Sequence, residues 1–216
     1  LIDERIHTQN KIIEELKLLK NTLSKKIFSG KLKFKDESGN DFPEWRMKEV
    51  GEIFKITRGN VLAMNLLTNN WSEETPYPVY SSQTKIKGLA GYYNKFLFEN
   101  AITWTTDGAN AGDVNYRSGK FYCTNVCGVL LNKEGFANIC VSELINSVSK
   151  NYVSYVGNPK LMNGIMSKIK IEFPSLQEQA KIANFLSSID TKIDVEYQFL
   201  QELKEQKKYL LANLFI

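Results

Sequence analysis

Apolar residues recur at alternating intervals of four and three along the first 27 positions, at Ile2, Ile6, Ile13, Leu16, Leu23 and Ile27, with Gln9 and Lys20 filling the two remaining places. The same series returns near the other end at Ile189, Ile193, Leu200, Leu203, Leu210 and Leu214, again with polar residues, Glu196 and Lys207, at the equivalent places. Leu186 and Ile182 extend it backwards. A stripe of this period is what two helices need to bury a narrow seam against each other. The pattern predicts long helices over 1–30 and 175–216. Because one enters and the other leaves the segment between them, they pair as an antiparallel coiled coil. Polar residues in a seam cost stability but fix register, so matched breaks point to a specified pairing. Gly30 is the expected C′ residue of the first helix. The second opens with Pro174 and a capping box formed by Ser175 and Glu178. From there to Leu214 it would run roughly 60 Å at 1.5 Å per residue.

The two helices are also copies of one another. Residues 1–29 align without gaps to residues 188–216, with identities at Ile2/Ile189, Asp3/Asp190, Ile6/Ile193, Glu15/Glu202, Leu16/Leu203, Lys17/Lys204, Lys20/Lys207, Leu23/Leu210 and Phe28/Phe215. A helical hairpin that merely clamps a domain accounts for the apolar stripes but not for the copying. If the duplicated unit is a domain followed by such a helix, the first helix is the tail of an earlier unit, and the present chain is the second half of a two-unit protein.

Between the helices the period shortens. Runs such as EIFKITRGN, YPVYSS, AITWTTDG, GDVNYRSGKFYC and CGVLL are β-branched and aromatic, with turn residues between them. Asp107-Gly108 and Ser118-Gly119 read as tight turns. NICVSELINSVSKNYV has helical spacing, with apolar residues at Ile139, Val141, Leu144, Ile145 and Val148. The expected fold class is α+β: a strand-rich α/β domain over 44–174, preceded by a linker over 31–43 and flanked by the two helices.

At 216 residues and 43% hydrophobic content the chain is ample for a real core. It has no run of eighteen apolar residues for a membrane span, and its charged start is unlike a signal peptide. Cys123, Cys127 and Cys140, with His7 as the single histidine, fit neither a disulfide framework nor a four-ligand zinc site, so they read as reduced core residues of a cytoplasmic protein. The net charge of +4 gathers in the middle: residues 45–173 carry 14 basic and 10 acidic side chains, against 9 and 8 before them and 5 and 6 after. That segment is the candidate face for a polyanion.

Catalytic constellations are lacking. With its one histidine in a helix, the chain cannot assemble a histidine triad or a two-histidine metal site. GANAGD has neither the lysine nor the helix of a phosphate loop. NPKL lacks the second proline and the aromatic of an adenine-methylating motif, and no metal or cofactor is expected to be held by this chain. What the middle segment offers instead is a set of polar residues among turns: Arg58, Asn60, Ser82, Gln83, Lys85, Lys87, Thr106, Asn110, Arg117 and Lys120. Arg pairs with guanine edges, Asn and Gln with adenine, Lys and Ser with phosphates, so the set suits the reading of a DNA duplex.

The stretch IEFPSLQEQAKIANFLSSIDTKI with its long heptad helix resembles the conserved region of specificity subunits of type I restriction–modification systems. SKKIFSGKLKFKDESGNDFPEW is similar to that family's link from central helix to second target-recognition domain, and YPVYSSQ with TTDGANAGDVNYRSGKFY to the interior of such domains. The resemblance implies a non-catalytic DNA-recognition subunit. Its recognition domain reads one half of a split double-stranded DNA target, and its helices set the spacing and dock methyltransferase subunits, with a restriction and translocase subunit joining them. It implies that S-adenosylmethionine, ATP and magnesium are used by those partners, and that a single half can self-associate. The helix-pair interface is then expected at Ile6, Ile13, Leu16, Leu23, Ile189, Ile193, Leu200, Leu203 and Leu210. Two other readings stay open from the residues: a coiled-coil adaptor that binds protein, and a fragment of a fused restriction–methylation enzyme.

Overall fold

The computed structural model describes residues 1–82 and 86–213, with only the backbone of Ile86. Gln83, Lys85, Leu214 and Phe215 lie outside the described residues. The chain divides into two compact units, one of residues 1–34 with those from 181 onward, the other of residues 35–180.

The first unit is a helix pair. Helix α1 (Ile2–Phe28) ends at Ser29, with Gly30 at φ +69 in the C′ place. The long C-terminal helix, α5 (Leu176–Asn213), supplies its partner. Asp3 meets Lys207, Gln9 meets Glu196, and Lys20 meets Asp190. As the first number rises the second falls, so the pairing is antiparallel. The contacts also obey the sequence repeat. Lys20–Asp190 (2.7 Å) and Lys207–Asp3 (2.5 Å) are the same pair related by the 187-residue offset. Gln9 and Glu196, which are copies of each other, meet at 2.5 Å. Each polar break in the seam therefore has a partner across a local two-fold, Gln9 and Glu196 in each other and Lys20 and Lys207 in Asp190 and Asp3. Ile13, Ile27, Ile193, Leu200 and Leu203 are buried, and Ile6, Leu16, Leu23 and Ile189 are half-buried. Leu210 departs from expectation and is exposed. Its repeat mate, Leu23, is half-buried.

The second unit holds strands β1 (Arg46–Glu49), β2 (Lys55–Arg58), β3 (Tyr77–Tyr80), β4 (Leu89–Tyr93), β5 (Phe98–Thr105), β6 (Val114–Cys123), β7 (Cys127–Leu131) and β8 (Lys170–Phe173). Its helices are α2 (Val50–Ile53), α3 (Ile139–Ser149), α4 (Asn163–Met166) and the start of α5 (Leu176–Asn213). Six strands form one sheet in the order β2-β7-β5-β6-β3-β4, and β1 with β8 forms a small ribbon. Every pairing is antiparallel except β3 with β6. Residues Ala101–Thr105 of β5 are buried one after another, which is why that strand reads as a continuous run rather than an alternation.

The sheet curls until its strands meet again. Beyond β2, the Asn60 N–H donates to Cys123 C=O at the end of β6 (3.2 Å), although β7 and β5 lie between those strands in the sheet. Gly59 makes this approach possible, because a Cβ there would lie 2.1 Å from the Cys123 carbonyl oxygen. Inside the curl, Ala101, Phe121, Cys123, Cys127 and Val129 form a core cluster. All three cysteines are buried free thiols, and burial pushes the Cys127 thiol up to about 11.

Three expectations are refined. Ser118-Gly119 is not a turn but a bulge within β6, where the register against β5 shifts between Glu99 and Ala101. Asn100 (φ +45) and Gly119 (φ +68) both take left-handed backbone there, and the Asn100 side chain accepts the Gly119 N–H at 2.8 Å. The stretch before β2, read as strand, contains the short α2. At the start of α5, Ser175 Oγ accepts the Glu178 N–H (3.3 Å), while the Glu178 carboxylate accepts from the Trp45 indole at 2.7 Å. No helix among the described residues is long and apolar enough to cross a membrane.

Candidate nucleic-acid interface

Connections between strands converge on one another through hydrogen bonds that can be followed in sequence. After β2, the Gly59 N–H donates to Cys127 C=O (3.0 Å). The Cys127 N–H donates to Thr124 C=O (3.0 Å), and the Thr124 N–H to Tyr80 C=O (2.9 Å). Thr124 Oγ1 donates to Ser81 Oγ (2.9 Å), and the Asn110 amide donates to Ser82 C=O (3.3 Å). A further connection joins them, with the Gly108 N–H donating to Pro159 C=O and the Leu161 N–H to Thr106 C=O, both at 2.9 Å. Segments 58–60, 81–82, 105–113, 124–126 and 154–161 are thereby tied into one loop cluster, which residues 87–88 join through the Ser81 N–H bond to Gly88 C=O (2.9 Å).

Of the ten residues chosen from sequence, Arg58, Asn60 and Lys87 are exposed in this cluster, and Ser82 and Asn110 are half-buried and bonded to each other. Two do not lie at its surface. Thr106 is fully buried, its hydroxyl donating to Asp107 (2.7 Å) and within 3.0 Å of the Val126 carbonyl. Arg117 is buried beneath the Lys87 backbone: Nε donates to Thr103 Oγ1 (3.0 Å), Nη2 donates to Lys87 C=O (2.6 Å), and the guanidinium lies 3.6 Å from the centre of the Tyr80 ring. Burial lowers its pKa from the ordinary arginine value, opposed by Tyr80 and the Cys127 and Cys123 thiols. Both side chains, chosen from sequence as DNA-binding, are engaged inside the fold, where they support the connections around them. Lys120 is exposed but separated. It sits six residues along β6 from Val114, roughly 20 Å at strand rise, with its ammonium over the Phe96 ring.

Beside the cluster opens a polar cleft of about 340 Å³ lined by Lys87, Gly88, Thr105, Asp113, Val114, Asn115 and Asn146. Asn146, on α3, accepts the Val114 N–H (3.0 Å), and Lys150 pairs with Asp113 at 2.5 Å. Asn146 escaped the sequence reading because it lies on a helix far along the chain. The tip Tyr155-Val156 also escaped it and is strongly exposed, with Val156 at 92%. Its signal was the Gly157-Asn158-Pro159 turn. Among the described residues, no group of His, Cys, Asp and Glu is gathered as a metal site.

Comparison with known proteins adds an independent line. Residues 43–205 match the family model of the type I restriction modification DNA specificity domain. A Mycoplasma pneumoniae protein named as the N-terminus of a type I specificity subunit is 37% identical over 65% of this chain and 75% of its own length. Another from that organism, also named as a type I specificity subunit, is 37% identical over 79% of this chain and 46% of that protein. The chain thus spans about half the length of some of the relatives it matches. The crystal structure of a type I restriction–modification S subunit from M. genitalium superposes with a TM-score of 0.75 at 20% identity, over 100% of this chain and 58% of that one.

Proposed function

Because the chain belongs to the family of type I restriction–modification DNA specificity domains, we propose that residues 35–180 read one part of a bipartite duplex target and that the helix pair links this reader to methyltransferase and restriction subunits. The observation that carries the reading is the loop cluster. Exposed Arg58, Asn60 and Lys87 stand with Ser82 and Asn110 on connections stitched to each other and to the sheet, a mixture of groups suited to base edges and phosphates.

The energetics favour a shared task. A domain of this size supplies a few base contacts of roughly 1–3 kcal/mol each, too few for useful selectivity without a second half-site. Contacts on one face of B-DNA recur about every 34–36 Å. Helix α5, with 38 residues, is about 57 Å long, long enough to hold two readers apart. The chain would act as the non-catalytic partner, S-adenosylmethionine, ATP and magnesium being used by the other subunits.

The test is to co-express the chain with the methyltransferase subunits of its system and map adenine methylation, with native loops and with segments 58–60, 81–88 and 105–113 exchanged for a relative's. One part of a split motif should change while the other stays. Methylation of an unchanged motif after exchange would place sequence reading elsewhere.

A further inference from the structure

The helix-pair unit has its own segregation of charge. From Lys20 to Lys35 there are six lysines and no acidic residue, whereas residues 1–19 set four carboxylates against Arg5, Lys11 and Lys17. Lys20 is neutralised by Asp190, and Lys35 lies 3.9 Å from Asp41. Lys25, Lys26, Lys31 and Lys33 are exposed, and among the described residues none of the four takes part in an ion pair.

These four are held in place. The Gly30 N–H donates to Ile27 C=O and the Leu32 N–H to Lys26 C=O, both at 3.0 Å, folding the segment back on the last turn of α1. The Phe34 ring packs edge-on against Phe185 at 5.6 Å. Along 31–34, exposed lysines alternate with half-buried Leu32 and Phe34, so the apolar side chains turn inward and the ammonium groups outward. The carbonyls ending α1 favour the cations at Lys25 and Lys26. Lys31 and Lys33 lie beyond them, and gathering four like charges on a fixed support is unfavourable until an anion meets them.

We infer that Lys25, Lys26, Lys31 and Lys33 form a second DNA contact, one that holds the phosphate backbone of a duplex by charge, outside the bases read by the loop cluster. The inference rests on the DNA reading above. Such contacts carry no sequence information; they add affinity and fix position.

The experiment measures retention of an arbitrary-sequence duplex by the whole chain as salt is varied, for the wild type, for the quadruple Lys→Gln variant, for Lys31→Gln/Lys33→Gln alone, and for a quadruple Lys→Arg variant. Each phosphate contact contributes about 0.9 to the slope of log affinity against log salt. The quadruple Gln variant should lose about 3–4 of that slope and the pair beyond the helix about 2, while the Arg variant keeps it. Thermal melting followed by circular dichroism accompanies each variant, and the 31/33 pair carries the test if the quadruple melts early. A steep wild-type slope that all the Gln variants retain overturns the patch and leaves the DNA reading standing. A reduced slope together with loop exchanges that alter no sequence preference leaves the patch and overturns the loop reading. A wild type that retains no duplex even at about 50 mM salt overturns both.

Discussion

Burying a guanidinium costs free energy unless hydrogen bonds and an aromatic face receive it, and Arg117 is received by Thr103, the Lys87 carbonyl and the Tyr80 ring. Its role is to hold the backbone at Lys87 in place. Lys87 takes a left-handed backbone at φ +51, away from the ordinary minima of a non-glycine residue, and the Ser81 N–H donates to the neighbouring Gly88 C=O at 2.9 Å. Arg117→Met should leave the Lys87 carbonyl without its donor, at about 1–3 kcal/mol. Faster hydrogen exchange of the Ser81 amide and a lowered melting temperature are the expected readouts. Unchanged protection would mean that the connection holds itself. Gly59→Ala should be worse, since its Cβ would collide with backbone, and soluble yield is the measure. The residue types that suit DNA were legible in the sequence, but which of them face solvent was not. Arg58 on β2 and Arg117 on β6 are the same residue type, and only the backbone at Lys87 and the Tyr80 ring, brought over Arg117 by the fold, hide one while the other stays bare.

At the scale of elements, the helix pair was the most legible part because its period is set by one neighbour and repeats. The polar breaks supplied more than register. Each becomes half of a pair, so reversing Asp190→Lys alone should lower the melting temperature of the helix pair, and adding Lys20→Asp should restore much of it. If the double variant melts no higher than the single, the charge pairing contributes nothing. Leu203→Ala, at a buried seam position, should cost about 2–5 kcal/mol. Leu210→Ala, at an exposed one, should fall within about 0.5 kcal/mol. The sheet was less legible. Strand β4, with the sequence LAGYY, carries no clean alternation, and the Ser118-Gly119 bulge borrows the chemistry of a turn. Its distinction is the partner residue Asn100, which local sequence does not reveal.

Across the whole molecule, two cores are enclosed by different parts of the chain. The helix pair buries Ile13, Ile27, Ile193 and Leu200, drawn from both ends of the sequence, while residues 35–180 bury Trp104, Phe121, Ile102 and Leu130. Each core loses stability through its own substitutions, because sites without shared partners act additively. Calorimetry of the whole chain should therefore resolve two transitions, with Leu203→Ala lowering one and Ile102→Ala, at 0% exposure, lowering the other. One transition that both variants shift equally would show that the units melt as a single cooperative body. The distinction bears on function. If the cores are independent, Leu203→Ala should weaken assembly with methyltransferase subunits while the sequence preferred by the loop cluster stays the same, whereas Ile102→Ala should lower retention of the preferred duplex first. Reading DNA and joining an assembly would then be separable properties of one chain, each supported by its own core.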